Sequence, residues 1–335
     1  MKLPEPVHTI SSLIDQYHES QAEKPRPHMG CSLLGHPCDR WLWLNFRWAV
    51  REEFEGRMLR LFRRGQMEEA TIIRDLRAIG VDIRSSQQRV NFGSHVSGSL
   101  DGIIESGVPE APKKRHVAEF KTHSKKSFDE LLKLGVEKSK PMHFVQMQVY
   151  MHGTNVERAL YLAVCKDDDR IYTERVKYDR AVAERYIERG KRLVLQDRIP
   201  EPLSADPTWY QCRFCPAHSF CHKAEPTKYA NCRTCAHSTA KADSTWRCER
   251  HQADGIPVEF QHEGCDDHIL HPDLVPWPMI ASEDGLSVMW KIGDRVIENG
   301  ANGYKSREIV TNPEACGDPV VELAKAKFPD AEVIG

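Results

Sequence analysis

The stretch that most constrains the fold runs from Gly98 to Thr122, GSLDGIIESGVPEAPKKRHVAEFKT. Two largely apolar runs, Leu100 to Glu105 and His116 to Lys121, flank a turn region rich in Pro, Gly and Lys, which predicts a β-hairpin. Side chains alternate between the two faces of a strand, so Glu119 and Lys121 point the same way while Asp101 opens the facing strand. Three charges therefore converge on strands whose other residues, Leu100, Ile103, Ile104, Val117 and Phe120, belong in a core. Burying Asp, Glu and Lys there is costly unless something compensates. A divalent cation compensates: carboxylate oxygens are hard ligands suited to Mg2+ or Mn2+, and the carbonyl of Phe120 supplies a third, with Lys121 facing a water on the metal. An exposed acid beside a salt-bridged Glu–Lys pair on an ordinary hairpin gives the same letters.

At 335 residues, 40% apolar and 29% charged, the chain is long enough for one full core plus one or two small modules. No apolar run approaches the roughly 18 residues a membrane span needs, and the start MKLPEPVHTI has no signal-like apolar region, so a cytoplasmic protein without membrane contact is expected. A net charge of −2 means that any surface for nucleic acid is local. Eleven cysteines with CxxC pairs among them, in such a compartment, favour metal ligation over disulfides.

In chain order, residues 1–26 read as a short helix and a Pro-rich linker. From Pro37 a helix is expected with Trp41, Leu44 and Trp48 on one face and Cys38 in its first turn; Cys38 and Cys31 read most simply as small buried apolar residues. Residues 54–80 carry the strongest helical period, with Met58, Phe62, Gly65, Glu69, Ile72 and Leu76 on one face. Glu69 is out of place on that face, and Glu68 is a less well placed rival. Arg57, Arg60, Arg63 and Arg64 on the same helix could track a phosphate backbone or form a solvated face. Helices are expected over 127–138 and 141–153, the second placing Gln146 and Tyr150 on one face. Two antiparallel strands around the turn at Asp167 to Asp169 and a helix over 180–197 follow. The C-terminal stretch reads as strands at 286–292, 295–297 and 308–310, turns such as ENGANG, and a last helix over 320–327.

Cys212, Cys215 and Cys221 stand in C-x2-C-x5-C spacing inside a Pro- and aromatic-rich loop, and a tetrahedral or cubane site needs a fourth ligand. Further on, Cys232, Cys235, Cys248 and Cys265 give a zinc-ribbon pattern of four thiolates, in which Gly264-Cys265 makes the tight knuckle; His251 and His268 are alternative fourth ligands. About 40 residues cannot build a core unaided, so Zn2+ would carry the folding of that segment. Lys228, Arg233, Lys241, Arg247 and Arg250 are expected to make a small basic surface there.

Asp101 followed by Glu119-Phe120-Lys121 resembles the PD-(D/E)xK nuclease signature, with Leu100 where that family often has Pro. Cys38-Asp39-Arg40, Gly65 to Glu69, Gln146-x3-Tyr150 and the C-x2-C-x5-C run occur in the order seen in the RecB-like iron–sulfur exonucleases of the AddB and CRISPR-associated kind. The likeness covers roughly residues 30–222, and the runs GHPCDRWLWLNFRW and RMLRLFRRGQMEE resemble phage-encoded members. The resemblance implies an α/β fold, a restriction-endonuclease-like core with a central mixed sheet flanked by helices and an iron–sulfur staple; the zinc-ribbon-like insert and a small C-terminal α+β region, read from the residues, lie outside it. The expected domains are 1–225, 226–272 and 273–335. It implies that Asp101, Glu119 and Glu69 hold one or two Mg2+ or Mn2+ ions and that Lys121 orients the attacking water. Gln146 and Tyr150 would help to position DNA, and Cys38 with Cys212, Cys215 and Cys221 would hold a [4Fe-4S] cluster, with zinc as the rival. The implied activity is a metal-dependent DNA exonuclease of phage or prophage recombination or DNA processing, in the bacterial host cytoplasm, with DNA and a single-strand-annealing or other recombination protein as the implied partners. The alternatives are a structure- or site-specific endonuclease and a non-catalytic DNA-binding or scaffolding protein of the same fold.

Overall fold

The computed structural model describes residues 9–84, 87–281, 286–300, 302–328 and 331–333; the expected N-terminal segment and the ENGANG turn fall partly outside them. Helices and mixed sheets make an α/β protein that divides into two compact units. The first comprises Met1–Gly35, Glu52–Phe92 and Val96–Gly190, and the second His36–Arg51, Gly93–His95 and Lys191–Gly335. The boundaries expected at 225 and 272 thus fall inside the second unit. Among the described residues no helix is long and apolar enough to cross a membrane.

The first unit opens with α1 (Ile10–Ser20) and β1 (Met29–Gly30); α2 (Asp39–Phe46) belongs to the second unit. The long α3 (Gly56–Ala78) lies close to its expected span. It starts against α1, where Glu19 accepts from the Gly56 amide and Asp15 pairs with Arg60. The strands β2 (Ile83–Arg84), β3 (Gln88–Asn91), β4 (Val96–Leu100), β5 (Gly102–Ile104) and β6 (His116–His123) follow, then α4 (Lys125–Ser139), α5 (Pro141–Thr154), β7 (Arg158–Cys165), β8 (Ile171–Lys177) and α6 (Arg180–Leu195). Five strands form one sheet in the order β2-β5-β6-β7-β8, in which only β6 and β7 run parallel. A parallel pair needs a long crossover, which α4 and α5 provide. A second sheet has the order β1-β4-β3. Ile72 and Leu76 of α3 pack with Ile83, Ile104, Ala118, Phe120, Leu160 and Leu162 in the core of this unit.

The expected hairpin is β5 with β6, paired Gly102 to Ala118 through Ile104 to His116. Leu100 belongs instead to β4 in the other sheet, and Asp101 is the single residue at the passage between sheets. That bend frees its carboxylate from a sheet face, so it can turn back onto the β6 backbone.

In the second unit, α2 is shorter than expected. Cys38 is its N-cap, with Sγ accepting from the Trp41 amide at 3.4 Å, and the helix ends at Phe46. Trp48 therefore does not share the helix face: it has φ 55°, its ring stacks on His262 at 4.0 Å, and the Arg233 guanidinium covers it at 3.7 Å. Two short helices, α7 (Tyr210–Arg213) and α8 (His218–His222), carry Cys212 and Cys221 with Cys215 between them; in the second group Cys232 opens a 3-10 turn that ends before Cys235, Cys248 closes the hairpin of β9 (Ser238–Ala240) with β10 (Trp246–Cys248), and Cys265 follows α9 (Val258–Glu263). A three-stranded antiparallel sheet, β11 (Met279–Ala281), β12 (Val288–Ile292) and β13 (Arg295–Asn299), packs with α10 (Ser306–Thr311) over a core of Leu270, Trp290, Ile297 and Ile309; α11 (Pro319–Lys327) follows. The strand expected at 308–310 is helix. Its Glu-Ile-Val sequence is strand-like, but the buried Glu308 carboxylate caps the Lys305 amide at 2.8 Å and pairs with Lys325, which fixes a helix start.

Candidate active site

Four charged side chains of the first unit meet at β6. The Phe120 amide donates to Asp101 Oδ2 at 2.8 Å, which holds the Asp101 bend against β6. Lys121 Nζ donates to Glu119 Oε1 and, at 3.1 Å, to the Phe120 carbonyl. Gly65 of α3 faces Thr122 of β6, and one turn on Glu69 comes within electrostatic range of Asp101 and Lys121. Gln87 donates to the Glu69 carboxylate at 3.4 Å. Glu68 looks elsewhere, in a hollow with Leu61, Arg64, Thr122 and Lys166.

Glu119 is fully buried, and its Oε2 has no hydrogen-bond partner. Burial pushes its carboxyl up to about 8, with Asp101 and Glu69 adding to the rise and Lys121 opposing it. Burial also raises Glu69, helped by Asp101. Lys121 moves the other way from what burial favours: Glu119, Asp101 and Glu69 raise it and keep it an ammonium. A single lysine thus balances three carboxylates. Among the described residues no group of three or more His, Cys, Asp or Glu side chains stands in a metal-holding arrangement. The chemistry of the donor set nonetheless fits a hard cation: clustered carboxylates with excess negative charge, and one buried oxygen left without a donor.

The helical pair expected on α5 is brought to the same place. Gln146 and Tyr150 are buried near each other, and the Tyr150 hydroxyl donates to the Ser99 carbonyl at 2.7 Å. Burial raises the Tyr150 phenol, with Glu119 and Asp101 contributing. Tyr150 reaches β4 because residue 98 is glycine: a Cβ there would stand 2.9 Å from the Tyr150 oxygen and from Cys31. Cys31 is buried in this packing. The arginines of α3 are partly spoken for, since Arg60 pairs with Asp15 and Arg64 donates to the Lys166 carbonyl.

In the second unit, Cys38 joins the C-x2-C-x5-C run. Burial raises Cys212, Cys215 (to about 11) and Cys221, and Cys38 raises all three further, so the four thiols are near neighbours. Arg40, two residues after Cys38, hydrogen-bonds Cys221 and lowers it. Cys232, Cys235, Cys248 and Cys265 form a second mutually coupled set, with Cys232 pushed up to about 11 and Cys235 to about 12, chiefly by burial. Of the rival histidines, His251 Nε2 lies 3.3 Å from Asp267, while His268 Nε2 lies 2.9 Å from the Asn231 carbonyl and 3.1 Å from Thr234 Oγ1 and its Nδ1 has no hydrogen-bond partner. Soft, clustered thiols of this kind suit zinc or iron.

The expected basic surface beside the second group is not there as drawn. Arg233 is buried among Phe46, Trp48 and Trp246, Arg247 pairs with Glu249 and Asp254, and Arg250 pairs with Asp267. The sequence places Arg233 between two cysteines of a knuckle, a position that reads as exposed; the aromatic rings that enclose it come from other segments.

No protein-family model and no curated protein sequence matches the chain. Among solved structures, SSO0001 is similar at 16% identity and TM-score 0.41, covering 63% of this chain and 95% of that one. The alkaline exonuclease LHK-Exo of Laribacter hongkongensis is similar at 16% identity and TM-score 0.38, covering 53% and 90%. A phage related exonuclease from Haemophilus somnus 129PT follows at 16% identity and TM-score 0.28, covering 38% and 66%. Likenesses at this level carry no argument; the functional reading stands on the residues.

Proposed function

We propose that the chain is a metal-dependent DNA exonuclease of the PD-(D/E)xK kind. The observation that carries the reading is Glu119, a fully buried carboxylate with an unpartnered oxygen beside Asp101, Glu69 and Lys121. Glu119, Asp101 and Glu69, with the Phe120 carbonyl, are the ligands for Mg2+ or Mn2+. A bound cation supplies charge that polarises the scissile phosphate and acidifies water. Lys121 stays an ammonium at neutral pH, so it orients the attacking water and offsets phosphate charge. Gln146 and Tyr150, both buried, hold the cluster's far side and act on DNA only through it.

Cys38, Cys212, Cys215 and Cys221 are the ligands for a structural [4Fe-4S] cluster, with zinc the rival occupant, and Cys232, Cys235, Cys248 and Cys265 those for a structural Zn2+. The cellular setting is phage or prophage recombination in a bacterial cytoplasm, with DNA as the substrate and a single-strand-annealing protein as a possible partner.

The test is Mg2+-dependent degradation of linear against covalently closed circular DNA. The reading expects linear DNA to be consumed from its ends, circular DNA to be spared, and Lys121→Ala to cost about 10²- to 10³-fold in rate with an unchanged circular dichroism spectrum. Cleavage of the circle would favour the endonuclease alternative. Parental rates from Lys121→Ala would remove the catalytic assignment.

A further inference from the structure

β6 carries Glu119, Lys121 and His123 at alternate positions, so the face that presents the charged cluster continues to an imidazole. Tyr161 of β7 is the register partner of Glu119. Its hydroxyl lies 2.8 Å from His123 Nε2 and 2.9 Å from His143 Nδ1, bridging the two rings. His123 Nδ1 in turn lies 3.1 Å from Ser127 Oγ at the start of α4. His143 stands on α5 three residues before Gln146 and seven before Tyr150, on the helix face turned to the cluster. Sequence reading passes over all three residues, because a strand tyrosine and two histidines far apart in the chain show no spacing that links them.

We propose that Ser127, His123, Tyr161 and His143 form a continuous hydrogen-bonded support behind the cluster and that the last three are positioning residues for Lys121. This rests on the nuclease reading and deepens it. One phenol between two imidazoles, donating to one and accepting from the other, ties β6, β7, α4 and α5 together at the level of Lys121. Such a tie fixes a long, rotamer-rich lysine more tightly than packing alone.

The support is also uncharged. Burial first, then Lys121 and Lys140, hold His123 down to about 4 and His143 to about 3, with Lys166 acting on His123 as well. Burial together with Glu119, Glu174 and Tyr172 keeps the Tyr161 phenol protonated. Lysines thus face the rings from β6, from the α4–α5 junction and from the end of β7, and acids face Tyr161 from β6 and β8. A neutral tie adds no positive charge next to the ammonium it holds.

The experiment uses the full chain, parental and as Tyr161→Phe, His143→Phe and His143→Asn. Histidine 15N resonances and the Lys121 ε-methylene signal are recorded without DNA or metal between pH 3 and 8; Mg2+-dependent cleavage of linear DNA is followed over the same range. In the parent, the imidazoles assigned to His123 and His143 are expected to stay neutral to about pH 4, as is that of the buried His268, and the Lys121 methylene protons to be inequivalent. Tyr161→Phe is expected to leave both imidazoles buried and neutral, average the Lys121 methylene signals, and lower kcat about 10- to 100-fold with KM little changed. His143→Asn, which keeps a polar atom near the Nδ1 position, should recover much of the kcat that His143→Phe loses. Parental kcat and Lys121 methylene signals that stay inequivalent in Tyr161→Phe, or His123 and His143 imidazoles of the parent that titrate in the ordinary range, would overturn the proposal. If the parent cleaves no DNA, the nuclease reading falls, and the imidazole and Lys121 signals still decide whether the support exists.

Discussion

Glu119 in the first unit and Arg233 in the second are both buried charges, and their surroundings differ in kind. Arg233 donates to the Phe46 carbonyl at 2.9 Å and to Gln261 Oε1 at 2.9 Å, and its guanidinium lies on Trp48 at 3.7 Å with Phe46 and Trp246 at 5.0 Å. Burial and the nearby Arg47 push it down only to about 9, so it remains charged at neutral pH. Glu119 has one lysine on one oxygen, nothing on the other, and two further acids close by. A buried charge supplied with donors, acceptors and ring faces holds a structure together. One left short of partners among like charges marks a candidate functional site.

The largest effect that sharpens this contrast is expected from Arg233→Ala. It removes the hub that joins the segment after α2 to the cysteine knuckle, and should destabilise the second unit by about 3 to 5 kcal/mol, read by denaturant unfolding. Next is the removal of metal. A strong zinc chelator should open residues 226–272 to protease before the first unit is cut, Cys265→Ser should lose zinc, and His251→Ala should keep it. Zinc lost from His251→Ala but retained in Cys265→Ser would reverse the choice of fourth ligand.

A third effect follows from protons. The folded chain holds the Glu119 proton to about pH 8 while an unfolded glutamate releases it near 4.5. Between these values the folded state binds more protons, so this group makes stability fall as pH rises. Glu119→Gln should therefore stabilise the metal-free protein at pH 8, by about 1 to 3 kcal/mol, and change little at pH 4. His123 and His143 act in the opposite sense. Their lowered values make the unfolded state bind more protons as pH falls below 6.5, so their contribution to stability is lost between there and about pH 4 and 3. The smallest effect is expected at Arg247, whose partners Glu249 and Asp254 are exposed: Arg247→Ala should alter stability by less than about 0.5 kcal/mol.

The same contrast explains what could be read from the sequence. Glu119, Lys121 and the β6 run lie within a few residues, so strand alternation alone brings the two charges to one face; Gly65 and Glu69, or Gln146 and Tyr150, follow from one helical turn. Cysteine spacing marks both thiol groups for the same local reason. Asp101 is legible as a residue of the site, while its position at a crossing between two sheets is not, because β4 pairs with its neighbour β3 and with the distant β1 and not with the sheet that β5 joins. The burial of Arg233, the end of α2 before Trp48 and the helix at Glu308 depend on partners 17 to 187 residues away. Local periodicity cannot see those partners.

The central claim is that Glu119 and Asp101 form a cation site, and binding of Mn2+ followed by electron paramagnetic resonance tests it without DNA or turnover. The account predicts saturable binding of one or two Mn2+ ions per parental chain, competed by Mg2+, and its loss in Asp101→Asn and Glu119→Gln with the fold retained. Equal Mn2+ binding by the parent and both variants would contradict it.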